Sequence, residues 1–213
     1  MFTKVMADVL KGSKTKFIAS DPSENMVENF RNSLPEIECK QFPAQAIDLP
    51  DESVNAVVVA NALHWFADSK ESFNEIHRVL VPGGKFGIFW CTHDYTCPWI
   101  SDIAAFLQHL YHQLKVHYSG SESGKNHFMS KVKESEKFHK FKGDASLFRF
   151  EVPTTSDSIY EYFCSFSVVS IADEETKLAF KSVFDNSIKK FFTDEGQEFK
   201  SITLVSAVFW CER

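Results

Sequence analysis

Asn61, His64 and Trp65 fall within five residues of one another in the stretch ANALHWF. An amide that donates and accepts, an imidazole that titrates near neutral pH and an indole that can wall a pocket make a plausible set for ligand chemistry. His64 is the good candidate for a general base in this region. Histidines also serve as positioning residues, and that reading stands beside the first. The three follow directly on Ala56-Val57-Val58-Val59-Ala60, an unbroken apolar run of small and β-branched residues. Such a run predicts a strand covered on both faces, as in a parallel sheet. In open α/β sheets ligands bind outside the carboxyl ends of the strands, which is where these three residues stand.

The elements that must position them are legible along the chain. Phe2, Val5, Met6, Val9 and Leu10 repeat at helical spacing, and Gly12 ends that helix. Thr15 to Ser20 reads as a short strand ending before Asp21. Ser23 is a candidate N-cap for a helix bearing Met26, Val27 and Phe30 on one side. Residues 37–42 alternate as a weaker strand, expected nearer a sheet edge. Asp68 and Glu71 have the spacing of a capping box, with Phe73, Ile76 and Leu80 as the helical stripe. Pro82-Gly83-Gly84 stops that helix, and residues 85–90 form the next strand. A helix is expected over 98–117, a polar stretch without a clean period over 118–146, a strand over 147–152, helices over 156–166 and 173–192, and a final strand over 202–211. Strands alternating with helical patterns imply an α/β fold with a mostly parallel sheet and helices on both faces.

Composition narrows the class. The chain has 213 residues, 44% hydrophobic and 24% charged, as expected of one globular domain. Its net charge of −6 argues against general nucleic-acid binding. No run of 18 apolar residues is present, so no membrane span is expected. The five cysteines are odd in number and form no CxxC, which fits reduced thiols of a cytoplasmic protein. No metal site is expected. Lys115, Lys125, Lys131, Lys133, Lys137, Lys140 and Lys142 make one stretch locally basic, which suits either attraction of an acidic substrate or a solvated face.

In order and spacing, DPSENM, AQAIDLPDESVNAVVVANALHWF and RVLVPGGKFGIF resemble the class I S-adenosylmethionine-dependent methyltransferases. The resemblance is to the type 11 branch that includes trans-aconitate methyltransferase-like proteins. It covers residues 1 to about 92 and is looser toward the C-terminus. It implies a Rossmann-like fold, S-adenosyl-L-methionine as cofactor, and a monomer acting on a small-molecule methyl acceptor, with neither nucleic acid nor membrane as partner. It places Asp21, Met26, Gln45, Ala46 and Asn61 at the cofactor, and His64 and Trp65 at the acceptor. Asp21 would accept two hydrogen bonds from a ribose diol, as the acidic residue of nucleotide-binding βαβ units does. Each assignment has a plainer alternative: a helix-capping turn for Asp21, a core methionine for Met26, an Asx-type turn for Asn61. Relatives usually carry Asp, Ser or Thr where Gln45 stands. Methyl transfer from a sulfonium asks mainly for alignment, and a carboxylate acceptor needs no base.

The family begins with a strand and a glycine-rich turn, and none of the eight glycines here makes a GxG. The first strand and that turn are therefore expected to be missing, so that residues 1–213 form a single, N-terminally incomplete methyltransferase domain, a truncated version or a degenerate relative. Residues 93–146 are expected to be a helical and polar insertion covering the substrate site. Losing four inward residues of a central strand would remove about 8 kcal/mol of burial, comparable with the stability of a whole domain. The strands ending at Asp21 and Ala60 would then either pair directly or leave a gap. Two functions follow: a small-molecule methyltransferase, its acceptor a carboxylic acid, or a catalytically inactive methyltransferase-like binding module.

Overall fold

The apolar spacing at the start of the chain forms a helix, α1 (Phe2–Leu10), and Gly12 follows with φ +83°. In the computed structural model, which describes residues 2–113, 122–193 and 199–213, the chain continues through β1 (Ile18–Asp21), α2 (Glu24–Ser33), β2 (Glu38–Gln41) and β3 (Val54–Ala60). A 3-10 turn at Leu63–Trp65 leads to α3 (Lys70–Val79), β4 (Leu80–His93), α4 (Pro98–Gln113) and α5 (Glu122–Glu134). The order closes with β5 (His139–Pro153), α6 (Ser156–Cys164), α7 (Ser167–Ser170), α8 (Glu174–Ile188), a π-turn at Lys189–Thr193 and β6 (Ser201–Glu212). The chain is an α/β protein, with two parallel pairs, β1 with β2 and β3 with β4.

Two compact units divide it. The first takes residues 1–89, 128–142 and 209–213, the second residues 90–127 and 143–208.

In the first unit the strands fall into separate sheets. β1 and β2 form a two-stranded sheet, while β3 is the terminal strand of a sheet ordered β3-β4-β6-β5. The strands ending at Asp21 and Ala60 therefore do not pair with each other among the described residues. The coverage expected for β3 on both faces is not found. None of its seven residues is buried, and Val58 is 45% exposed. An apolar β-branched run encodes a strand, but coverage depends on what packs against it, and among the described residues β3 is hydrogen-bonded along one edge, to β4.

Local signals at the helix ends are mostly obeyed. Ser23 caps α2 by accepting the Met26 N–H at 3.4 Å. At α3 the cap is Ser69 rather than Asp68: its hydroxyl accepts the Ser72 N–H at 3.3 Å and donates to Glu71 at 2.9 Å. Phe73, Ile76 and Val79 are the buried stripe of α3. The helix ends at Val79, before the Pro-Gly-Gly turn, and the strand already begins at Leu80. Gly84 sits where the chain passes close to β3. A Cβ there would lie 2.8 Å from the Val81 carbonyl oxygen and 3.2 Å from that of Asn55. Gly84→Ala is expected to destabilise the protein by about 1–3 kcal/mol, because backbone must shift to admit the methyl. Urea titration reads this as a lower midpoint at unchanged slope.

The second unit is built on helical packing. Trp99, Ile103, Leu107 and Leu110 of α4, spaced at helical period, are all buried. They join Phe163 of α6, Val168 and Val169 of α7, and Phe180 and Phe184 of α8 in one apolar core. The Ser187 hydroxyl donates to the Trp99 carbonyl inside it. The polar stretch expected over 118–146 contains α5 and the start of β5, which is longer than the 147–152 strand anticipated. The last residues of the helix expected over 98–117 lie outside the described residues, as does Lys115. All five cysteines are free thiols. No helix among the described residues is long and apolar enough to cross a membrane.

Candidate functional site

The register that pairs Asp21 with Gln41 brings two loops to the carboxyl end of one small sheet. Asp21 closes β1, and its Oδ1 accepts the Ser23 N–H at 2.9 Å. The carboxylate thus shapes the turn into α2 with one oxygen, and Oδ2 is the atom left to meet a ligand hydroxyl. The Gln41 side-chain amide donates to the Pro22 carbonyl at 3.2 Å, tying the same turn to the end of β2. Met26, on the first turn of α2, is 57% exposed, while its neighbour Val27 takes the buried position. A core role for Met26 is excluded. Gln45 and Ala46 lie exposed in the turn after β2. The Ala46 N–H donates to the Pro43 carbonyl at 3.2 Å, so a ligand would share that donor.

A second group stands at the carboxyl end of β3. Ala60 pairs with Phe89, and the Asn61 N–H extends the ladder to the Phe89 carbonyl at 2.9 Å. Asn61 then turns the chain with φ +50°, in the left-handed region that asparagine tolerates better than most residues. Such conformations cost on the order of 1–3 kcal/mol and cluster at functional sites. Leu63, 1% exposed, plugs the following 3-10 turn into the core. His64 lies with its ring 4.8 Å from Trp65 and 6.3 Å from Phe128. Burial pushes His64 down to about 4, so its imidazole is neutral at physiological pH. Trp65 is 65% exposed and available as a pocket wall.

The loop between Ala46 and β3 is held by two residues the sequence reading passed over. Arg78, on the last turn of α3, donates through Nε and one terminal nitrogen to both oxygens of Glu75, at 2.7 and 2.8 Å. Its remaining donors reach the Ile47 carbonyl at 2.8 Å, the Leu49 carbonyl at 2.9 Å and the Asp51 carboxylate at 2.6 Å. Glu75 in turn accepts the Ile47 N–H at 2.8 Å. The backbone continues the seam, with Glu52 N–H donating to the Arg78 carbonyl and Ser53 N–H to that of Val79, both at 2.9 Å. The bonds from Arg78 hold the Glu75 carboxyl below the usual carboxylate range, and those from Glu75 and Asp51 raise Arg78. The signal for this device was a Glu-x-x-Arg pair at the end of a helix stripe, a spacing that places both side chains on one face.

Among the described residues no group of three His, Cys, Asp or Glu side chains could hold a metal ion. Of the lysines of 128–142, Lys131 pairs with Glu134 at 2.9 Å and Lys140 with Glu212 at 2.8 Å.

Part of the chain is similar to known proteins. The family model described as a methyltransferase domain matches residues 2–88. An uncharacterised methyltransferase-like protein of Schizosaccharomyces pombe is 39% identical over 99 residues, covering 46% of this chain and 38% of the relative. An uncharacterised methyltransferase of Mycobacterium bovis is 37% identical over 90 residues, covering 42% and 37%. These matches span well under half the length of either relative. Among solved structures, the YcgJ protein of Bacillus subtilis superposes with a TM-score of 0.54 at 18% identity, covering 92% of this chain and 81% of that one, a likeness of fold. The matched region, residues 2–88, holds both strand-end groups and is similar to a methyltransferase domain.

Proposed function

We propose that this chain binds S-adenosyl-L-methionine through its first unit and directs its methyl group to a small molecule, with a carboxylic acid as the acceptor class. When bound, that cofactor supplies a sulfonium methyl group which a carboxylate oxygen can take without any proton changing hands. Asp21 would hold the ribose through Oδ2 while Oδ1 keeps the turn in shape. The exposed Met26 side chain would cover one face of the adenine, and Gln45 and the shared Ala46 amide would meet its edge. Asn61 would border the methionine end, and Trp65 would wall the acceptor side. Residues 93–146 lie outside the stretch that matches the family, and we assign acceptor selection to them.

The observation that carries the acceptor class is the state of His64. A general base works best when its pKa lies near the operating pH. An imidazole held near 4 by burial is a poor base for an amine or a phenol. It suits a neutral wall beside an acceptor that is already ionised. On this reading His64 positions the acceptor and does not deprotonate it.

Calorimetric titration of the full chain with S-adenosylhomocysteine tests the cofactor half. Saturable heat at one site is expected. Asp21→Ala should weaken it at least about tenfold, the effect of losing a hydrogen bond to a charged group. No heat and no thermal shift at millimolar ligand would overturn the enzyme reading and leave the chain as a binding module of the same fold.

A further inference from the structure

The two sheets of the first unit share no strand pairing among the described residues, so something other than a β-ladder must set the loop after β2 against the end of β3. Arg78 of α3 grips the loop that leads from β2 to β3, and Lys40 of β2 reaches the same loop at the Asp48 carbonyl, 3.3 Å away. A guanidinium has five N–H donors in a rigid fork, and all five are used here: two on Glu75, and one each on Asp51 and the carbonyls of Ile47 and Leu49. Ile47 is gripped on both sides of its Cα, its N–H by Glu75 and its C=O by Arg78. It stands one residue after Ala46. Resting on the cofactor-binding reading above, we infer that Arg78 and Glu75 are positioning residues for the adenine side of the site: they fix Gln45 and Ala46 relative to the β3 end that carries Asn61.

Neither residue touches the cofactor on this account. Their effect runs through the 47–53 segment, where α3 meets the Ile47 N–H and C=O, the Leu49 carbonyl and the Glu52 and Ser53 N–H groups, and whose ends lead into the turn at Gln45 and into β3. Lysine keeps the charge at position 78 but is a single point donor group that cannot reproduce the fork. Arg78→Lys therefore separates geometry from charge, and Glu75→Gln removes the bidentate partner from the other side. Ile76→Val, a conservative trim of a buried residue on the same helix, serves as the control for general loss of stability.

The test has two readouts on the full chain. The first is amide hydrogen exchange without ligand. In Arg78→Lys the Ile47, Glu52 and Ser53 amides should exchange at least about tenfold faster than in the wild type, as expected for loss of charge-assisted bonds, while β4 amides and the Ile76→Val protein stay close to wild type. The second is calorimetry with S-adenosylhomocysteine and with methylthioadenosine, which carries the adenine but no amino acid. Both should weaken at least about tenfold in Arg78→Lys and in Glu75→Gln, by a similar factor, and neither in Ile76→Val. Unchanged exchange in the 47–53 amides overturns the clamp. Faster exchange with unchanged affinity, or equal weakening in Ile76→Val, overturns its role in positioning. Failure of the wild-type chain to bind either compound overturns the cofactor reading and the adenine role with it, an outcome that the exchange data keep separate from failure of the clamp.

Discussion

Replacing Phe163 by alanine should cost about 3–5 kcal/mol, the range for truncating a buried aromatic ring whose surroundings cannot collapse. Phe163 is fully buried on α6. Its ring lies 5.0 Å from His93, 5.6 Å from Phe166, and 6.4 Å from both Phe180 and Phe184. These neighbours come from the end of β4, the turn after α6 and α8, so the hole would open at the junction of α6 with α8 and the end of β4. The rings around it are themselves stacked on others: Phe180 lies 5.9 Å from Tyr160, and Phe184 lies 5.2 Å from the same ring. A ring held on two sides cannot easily swing into a vacancy, which argues for the upper part of the range. A loss that is a large fraction of an ordinary domain's stability should appear as deprotection of the α4 amides from Trp99 to Leu110, which share this core. Phe163→Leu, which keeps much of the volume, should recover most of it. If Phe163→Ala shifts neither the urea midpoint nor α4 exchange by more than about 1 kcal/mol, the core assigned to the second unit is wrong.

The parts of the fold that were legible are those set by local chemistry. The stripe of Phe73 and Ile76 specifies α3, and the hydroxyl of Ser23 specifies the start of α2, because each signal acts within a turn of the residue it governs. Where two capping residues adjoin, as at Asp68 and Ser69, pattern alone chose the wrong one by a single position, since the cap is decided by which side chain reaches the Ser72 N–H. The helix α5 was missed for a different reason. It buries Phe128 and Val132, four residues apart, in a sequence otherwise polar, and so sparse a stripe carries little periodic signal. The exposure of β3 could not be read at all. Val57, Val58 and Val59 look the same in a central strand and in a terminal one, and neighbours distant in sequence decide between them.

The candidate site divides along the same line. Asp21 and Asn61 were visible because they end apolar strand patterns, and strand ends are where α/β sheets bind ligands. Arg78 was not, because its partners at Ile47, Leu49 and Asp51 lie 27 to 31 residues away and two of them are backbone carbonyls. A side chain that recognises carbonyls leaves no trace in the residue types it contacts. The state of His64 was equally hidden, since the imidazole that looked like a base in sequence is shifted by the packing around it.

That shift has a consequence for stability that activity measurements do not share. His64 titrates near its ordinary 6.5 in the unfolded chain and near 4 in the folded one, because burial disfavours the charged imidazolium. Between these values the unfolded state carries a proton that the folded state does not. Stability therefore rises with pH through this window. The contribution is fully present above about pH 6.5 and is lost as pH falls toward 4. One pKa unit corresponds to about 1.4 kcal/mol, so the loss across the window amounts to about 3 kcal/mol. His77 is also lowered, by burial first and then by the charges of Arg213 and Lys137, and adds a loss of the same sign. The two are separable: His64→Gln removes one titration and leaves the other. The expected result is a urea midpoint that falls less steeply between pH 6.5 and 4 in His64→Gln than in the wild type, with little difference in slope above pH 7. A wild-type acid limb that His64→Gln leaves unaltered would mean that His64 stays solvated in the folded chain, and a solvated imidazole with an ordinary pKa would return His64 to candidacy as a general base and remove the main support for a carboxylate acceptor.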